Sequence, residues 1–180
     1  MVYVVMGVSG CGKTTVGRML AEKLGIKFYD ADDYHPQENI DKMRSLVPLT
    51  DEDRIPWLFE LAHLIVQWNK GEGAVLACSA LKERYREILS GDRQEMVAFI
   101  YLEGDEDLIL SRMSTRRRHF FSSSLLGSQF NDLEISSNML TVKTDKSLRK
   151  ICKDVIDKLA SKGFLAPVGS QKPTNLLRRC

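Results

Sequence analysis

The chain has 180 residues, of which 43% are hydrophobic and 28% are charged, so it fits one compact domain with a sizeable core. Its 26 basic and 24 acidic residues leave a net charge of +2, which gives no electrostatic argument for binding nucleic acid or a membrane surface. No apolar run approaches the roughly 20 residues of a membrane helix, and the first residues lack a signal-peptide pattern. We therefore expect a cytoplasmic protein without nucleic-acid or membrane partners. The four cysteines form no CxxC pair, so neither a disulfide framework nor a zinc site is indicated.

Short apolar runs alternate with helical repeats along the chain. Val2–Met6 is a valine-rich run that stops at Gly7, as expected for a strand buried on both faces of a parallel sheet. Lys13–Leu24 has apolar residues at helical spacing, and Gly25 follows as a C-cap. The same criteria predict strands at 27–30, 74–79, 97–102 and 139–142, and helices at 36–43, 51–69, 82–89, 105–112 and 147–159. This alternation predicts a three-layer α/β/α fold with a five-stranded parallel sheet.

Residues 7–14 read G-V-S-G-C-G-K-T, which matches the phosphate-binding pattern GxxxxGK[ST]. Glycines allow such a loop to curl, so that backbone N–H groups point at phosphate oxygens beside the positive end of the following helix. Lys13 is then expected to reach the β- and γ-phosphates, and the Thr14 hydroxyl to ligate Mg²⁺. We predict a nucleoside triphosphate site, most simply for ATP, made by Gly7, Val8, Ser9, Gly10, Cys11, Gly12, Lys13, Thr14 and Thr15.

Three aspartates follow the second predicted strand, at the edge where open α/β sheets bind ligands. Alternate residues of a strand project to the same side, so Asp30 and Asp32 are expected to point together towards the cleft. Asp30 would act on hydrated Mg²⁺, and Asp32 would position and deprotonate the acceptor hydroxyl. Turn or helix-capping roles are the alternative, and we favour that alternative for Asp33.

Five strings of the chain are informative together: M-G-V-S-G-C-G-K-T at 6–14, F-Y-D-A-D-D-Y-H-P at 28–36, P-L-T-D-E-D-R-I-P-W-L at 48–58, A-C-S-A-L-K at 77–82 and S-Q-F at 128–130. They resemble the gluconokinase family of small P-loop kinases. The resemblance is strong to about residue 90 and weakens towards 160. It implies transfer of the ATP γ-phosphoryl group to the 6-hydroxyl of D-gluconate, and assembly as a homodimer by family analogy.

The implied substrate is a polyol with a carboxylate, which calls for a forked cation and hydrogen-bonding partners. Arg54, Lys82 and His35 suit that purpose, and Asp32 would face the reacting hydroxyl. Exposed helix positions are the alternative for Arg54 and Lys82. For His119 we leave core packing and a substrate contact open.

Arg112 and Arg116 are four residues apart on a predicted helix and resemble the lid arginines of nucleoside monophosphate kinases. We expect a helical lid at about 112–131 within a domain spanning 1–162, with Arg112 and Arg116 on the phosphates and Arg116 assisting catalysis. Arg118 stands where the family usually has glycine, so the closure of this lid is an open question. Thr144 and Asp145 are candidate neighbours of adenine. The tail at 163–180 is expected to be disordered.

Cys11 lies inside the phosphate cradle, the loop of residues 7–14, where the family commonly has serine. A thiol beside Lys13 and a helix N-terminus is open to a lowered pKa and to oxidation, but we favour an inert small residue.

Two other functions remain open at this point. One is a related kinase that acts on shikimate or a nucleoside monophosphate. The other is a GTPase-like switch, which lacks support because the string N-K-G-E at 69–72 does not supply the required Asn-Lys-x-Asp.

Overall fold

The computed structural model describes residues 1–114 and 123–165, with the backbone alone at 123–125. Its strands are β1 (Val2–Met6), β2 (Lys27–Asp30), β3 (Ala74–Ala77), β4 (Val97–Glu103) and β5 (Leu140–Lys143). Its α-helices are α1 (Lys13–Leu24), α2 (Gln37–Arg44), α3 (Asp51–Lys70), α4 (Glu83–Ser90), α5 (Glu106–Ser114), α6 (Ser123–Asp132) and α7 (Leu148–Ser161). Short 3₁₀ turns occupy Ala31–Tyr34 and Gln94–Met96.

All five strands are parallel and lie in the order β2-β3-β1-β4-β5. The central strand β1 is buried along its whole length and pairs with both β3 and β4, so that Val4 lies opposite Leu76 on one side and Phe99 on the other. The predicted α/β fold with a five-stranded parallel sheet is confirmed.

The two faces of the sheet carry separate apolar cores because successive side chains of a strand point in opposite directions. Val5 packs with α1 and α7 through residues such as Leu20 and Val155. Val4 packs on the other face with α3 and α4 through residues such as Leu61. Helices on both faces make the predicted three layers.

Local chemistry fixes the ends of the helices beside the sheet. Gly25 ends α1 in the left-handed conformation, with φ of 67°. At α3 the Thr50 side chain accepts the Asp53 N–H, and the Asp53 side chain accepts the Thr50 N–H, which forms a capping box. The bounds of α1 were predicted without error, and the other predicted helices differ from the observed ones by one or two residues at an end.

The predicted lid at 112–131 lies only partly within the described residues, because 115–122 are outside them. Most of the predicted tail, residues 166–180, is also outside the described residues. Helix α6 belongs to the predicted lid region, and its C-terminal end is described. Within the described part of the chain, every helix is too short or too polar to cross a lipid bilayer.

Candidate active site

The loop between β1 and α1 lies at the carboxyl edge of the sheet and depends on its glycines. Gly12 caps α1 with φ of 105°, in the left-handed region that side chains disfavour. At Gly10, with φ of 82°, an added Cβ would lie 2.8 Å from Met113 Cγ on α5. The loop therefore holds its curled shape only with glycine at these positions, which leaves its N–H groups at the N-terminus of α1.

Lys13 is the first residue of α1, and its side chain folds back over the loop. Its Nζ donates to the carbonyl oxygens of Gly7 at 3.0 Å and Val8 at 3.1 Å. A bound triphosphate would offer this ammonium group phosphate oxygens in place of those carbonyls.

Acidic and hydroxyl oxygens meet where β2 ends. The Thr14 hydroxyl donates to Asp30 Oδ2 at 2.9 Å, and Asp30 Oδ1 accepts the Asp32 N–H at 3.3 Å. Asp30, Asp32 and Thr14 all line the same cleft as the cradle. The structure thus brings the predicted metal ligands and the predicted base together.

His35 lies on the wall of this cleft against the ring of Trp57. Their ring centroids are 4.1 Å apart and the planes are within 14° of parallel. Asn39 Nδ2 lies 3.3 Å from His35 Nδ1. Burial, with a smaller contribution from Arg54, lowers the pKa of His35 to about 4. The imidazole is therefore neutral at physiological pH, so one ring nitrogen can donate a hydrogen bond to a hydroxyl group and the other can accept one.

Arg54 also lines the cleft, and a carboxylate and a phenol hold its guanidinium. Its Nη1 donates to the Tyr85 hydroxyl at 3.2 Å and lies 3.8 Å from Asp51 Oδ1. Asp51 also accepts a short hydrogen bond from Tyr85 and pairs with Arg84. The Arg54 guanidinium, with its forked N–H groups, is therefore held in a defined orientation at the wall of the cleft.

Lys82 lies beside the cleft and pairs with two carboxylates. Its Nζ is 3.1 Å from Asp51 Oδ1 and 3.4 Å from Asp132 Oδ1, and its side chain is 20% exposed. Asp132 is the last residue of α6 and does line the cleft. Lys82 thus ties α6 to the start of α3, and its predicted contact with substrate remains a prediction.

Arg112 on α5 points to the loop after β5, where its Nη2 donates a short hydrogen bond to the Thr144 carbonyl. Thr144 and Asp145 line a smaller hollow with the Gly104 segment. This arrangement places the predicted adenine neighbours beside Arg112. Arg116 and His119 lie outside the described residues.

Cys11 is 1% exposed and packs within the core under the loop. Burial raises the pKa of its thiol and outweighs the opposite effects of Lys13 and Arg112. A reactive thiolate is therefore disfavoured, in agreement with the inert alternative.

The cleft has a volume of about 270 Å³. The predicted residues that line it are Ser9, Gly10, Gly12, Lys13, Thr14, Thr15, Asp30, Asp32, His35 and Arg54. Sequence reasoning gave no role to other lining residues, namely Met43, Val47, Pro48, Leu49, Trp57, Ser79, Met113, Ser128, Gln129 and Asp132. The S-Q-F string was a signal for Gln129, whereas Asp132 had none.

A phosphate-binding loop after the first strand of a parallel sheet, facing carboxylates at the end of the second strand, defines a P-loop kinase. Residues 9–161 match the family model described as shikimate kinase. A probable gluconokinase from Mus musculus is 46% identical over 178 residues, covering 88% of this chain and 97% of its own. The thermosensitive gluconokinase of Escherichia coli K12 is 47% identical over 133 residues, covering 73% of this chain and 71% of its own.

Among solved structures, a gluconokinase from Sinorhizobium meliloti 1021 superposes with a TM-score of 0.81 at 39% identity, covering 89% of this chain and 91% of its own. The chain therefore belongs to the family that the shikimate kinase model describes and, by these relatives, to the gluconokinases.

Proposed function

We propose that this protein is a gluconokinase, which transfers the γ-phosphoryl group of ATP to the 6-hydroxyl of D-gluconate and yields 6-phospho-D-gluconate. One observation carries the proposal: a single cleft contains the phosphate cradle, the Asp30 and Asp32 carboxylates, and the Arg54 guanidinium. The family membership supports gluconate as the acceptor.

The donor side of the cleft consists of the cradle and the first turn of α1. The loop N–H groups would hold the phosphates, and Lys13 would leave the Gly7 and Val8 carbonyls to contact the β- and γ-phosphate oxygens. The Thr14 hydroxyl and the Asp30 carboxylate, 2.9 Å apart, are the oxygen ligands that Mg²⁺ prefers. Thr14 would bind the cation directly and Asp30 through a water molecule. When bound, Mg²⁺ neutralises charge on the phosphate oxygens.

The acceptor side lies between Asp32 and Arg54. Asp32 would orient the 6-hydroxyl and take its proton as the oxygen attacks phosphorus. Arg54 would receive the gluconate carboxylate in a two-point contact, because its fork matches a carboxylate. Neutral His35 would pair with a chain hydroxyl.

The remaining parts of the proposal rest on the sequence and on family analogy. Arg112 and Arg116 are assigned to a lid that closes over the phosphates and excludes water, and His119 is assigned to a contact with the substrate. A domain at 1–162, a homodimer and a cytoplasmic location belong to the same proposal.

The direct test is formation of 6-phosphogluconate from gluconate and Mg·ATP by the purified full chain. A coupled assay with 6-phosphogluconate dehydrogenase reports the product as reduced cofactor, and circular dichroism verifies the fold of the preparation. We expect turnover that requires both substrates. A folded preparation that forms no product would refute the proposal.

Shikimate is a second candidate acceptor, since the matching family model is described as shikimate kinase. A panel of gluconate, shikimate and nucleoside monophosphates at equal concentration separates the candidates. We expect the largest kcat/KM with gluconate, and a larger value with shikimate would replace the acceptor in the proposal.

A further inference from the structure

Gln129 on α6 contacts the phosphate cradle directly, and the proposed mechanism gives this contact no role. Its side-chain Oε1 accepts the Ser9 N–H at 2.6 Å. The carbonyl of the same peptide, that of Val8, accepts from Lys13 Nζ at 3.1 Å. One peptide of the cradle is therefore held on one side by Lys13 and on the other by Gln129.

Helix α6 is fixed to the body of the domain from Leu126 onwards. Leu126 is fully buried, and Phe130 packs against the core that contains Val5. Just beyond the helix, the Glu134 N–H donates to the Leu81 carbonyl at 3.0 Å, and its carbonyl accepts from buried Arg86 at 2.8 Å. Gln129 thus reaches the cradle from an anchored position.

The position of Gln129 identifies the phosphate that it would meet. Lysine in this motif reaches the β- and γ-phosphates, and Lys13 touches the peptide whose N–H Gln129 holds. Asp132, one turn further along α6, lines the same cleft as Asp32. Gln129 therefore contacts the cradle at the peptide that Lys13 also holds, in the same cleft as Asp32, so the γ-phosphate is the phosphate that we expect it to meet.

We propose that Gln129 contacts the γ-phosphoryl group and makes the donor site select ATP over ADP; this rests on the proposed kinase function. In the empty cradle its carbonyl end accepts the Ser9 N–H. When a γ-phosphate oxygen takes that N–H, the carboxamide turns about its last torsion, which has two broad wells, and its Nε2 donates to the phosphate. Hydrogen bonds to charged groups are the strong ones, so the contact favours the nucleotide with the extra phosphate.

Two variants distinguish a contact between Gln129 and the γ-phosphoryl group from a role of Gln129 in supporting the loop alone. Gln129→Glu keeps size but removes both donors and adds a negative charge, and Gln129→Ala removes the group. Gln94→Glu is the matched control, because Gln94 is exposed on the turn before β4, at the opposite edge of the sheet from the cradle. The dissociation constants of Mg·ADP and of the Mg complex of an imido-bridged ATP analogue are measured by calorimetry for the full chain.

We expect Gln129→Glu to weaken the ATP analogue by more than about tenfold relative to ADP, because the variant loses one charge-assisted hydrogen bond, which is worth about tenfold, and adds a carboxylate that repels the γ-phosphate. Gln129→Ala should change this ratio in the same direction by less, and Gln94→Glu should leave it unchanged. Equal losses for the two nucleotides in the Gln129 variants would mean that Gln129 only supports the loop, and would overturn the proposal. Unchanged binding, or tighter binding of the analogue by Gln129→Ala, would overturn it as well. Wild-type turnover of gluconate, measured separately, decides the proposed function independently.

Discussion

Replacing Asp51 with asparagine removes the carboxylate shared by the cations Arg54, Lys82 and Arg84 beside the cleft and keeps the size of the side chain. Asp51 pairs with Lys82 and Arg84, accepts from the Tyr85 hydroxyl, and lies 3.8 Å from Arg54. All three cations also lie within 5.8 Å of the Tyr85 ring centroid. The substitution leaves these like charges close together without the carboxylate that compensates them.

The expected loss of stability follows from the burial of this carboxylate. Its side chain is 25% exposed, so its ion pairs are partly shielded from water. One hydrogen bond to a charged group contributes roughly 1.5–3 kcal/mol, and the amide oxygen of asparagine keeps part of that. We expect the free energy of unfolding to fall by about 2 kcal/mol, which lowers the Tm by roughly 4–8 °C in a chain of this size. The KM for gluconate should rise several-fold, because Arg54 loses a partner that fixes its fork, and the KM for ATP should not change.

Asp41→Asn is the matched control. Asp41 pairs with Arg44 at 3.9 Å on the surface, and its side chain is 62% exposed. Such a pair contributes at most about 0.5–1 kcal/mol. Urea titration of the wild type and both variants gives the three free energies, and initial rates give the two KM values. If Asp51→Asn loses no more stability than Asp41→Asn and keeps the wild-type KM for gluconate, the role assigned to Asp51 is wrong.

Three further predictions concern the cradle and the cleft wall. Lys13→Ala should lower kcat at least about 100-fold, as when one preorganised charge partner of a reacting group is lost, with an unchanged circular dichroism spectrum; turnover near wild type would exclude its assigned role. The lowered pKa of His35, about 4 in the folded chain, means that the unfolded chain binds a proton first as pH falls below roughly 6.5, so stability drops from there down to about pH 4. Between pH 7 and pH 4.5, urea titrations should show that the free energy of unfolding falls by about 1–2 kcal/mol more for the wild type than for His35→Phe, a value that includes screening by solvent. Equal falls for the two proteins would contradict the lowered pKa of His35. Gly10→Ala should weaken ATP binding and lower the Tm, because its Cβ would lie 2.8 Å from Met113; calorimetric binding equal to wild type would show that the loop tolerates a side chain.

The backbone of the donor site could be predicted from the sequence, because local patterns determine it. The valine-rich run of β1, the glycine spacing of the loop and the helical repeat of α1 are all contained within residues 2–24. The positions of Asp30 and Asp32 also follow from a local rule, since parallel strands present their carboxyl ends at one edge.

Contacts between distant side chains could not be predicted in this way. Gln129 and Ser9 are 120 residues apart in sequence, and neither periodicity nor spacing relates them. Lys82, which was predicted to contact the substrate, forms ion pairs with Asp51 of α3 and Asp132 of α6. Spacing in the sequence does not indicate that these three residues meet. The low pKa of His35 depends on burial in the folded chain, where the ring stacks on Trp57.

The distribution of charge in the cleft explains how the proposed reaction selects one end of its substrate. Lys13 belongs to the cradle, and Lys82 is matched by Asp51 and Asp132. Arg54 lines the cleft with only a 3.8 Å approach to a carboxylate, so its charge is the better placed of the two predicted substrate cations to attract a carboxylate. In the proposed function, a six-carbon acid bound there by its first carbon would extend its last carbon away from Arg54, and Asp32, which lines the same cleft, would accept the proton of the hydroxyl at that end. Reversal of the acid would bring its carboxylate against the Asp32 carboxylate, and this repulsion favours phosphorylation at the 6-hydroxyl.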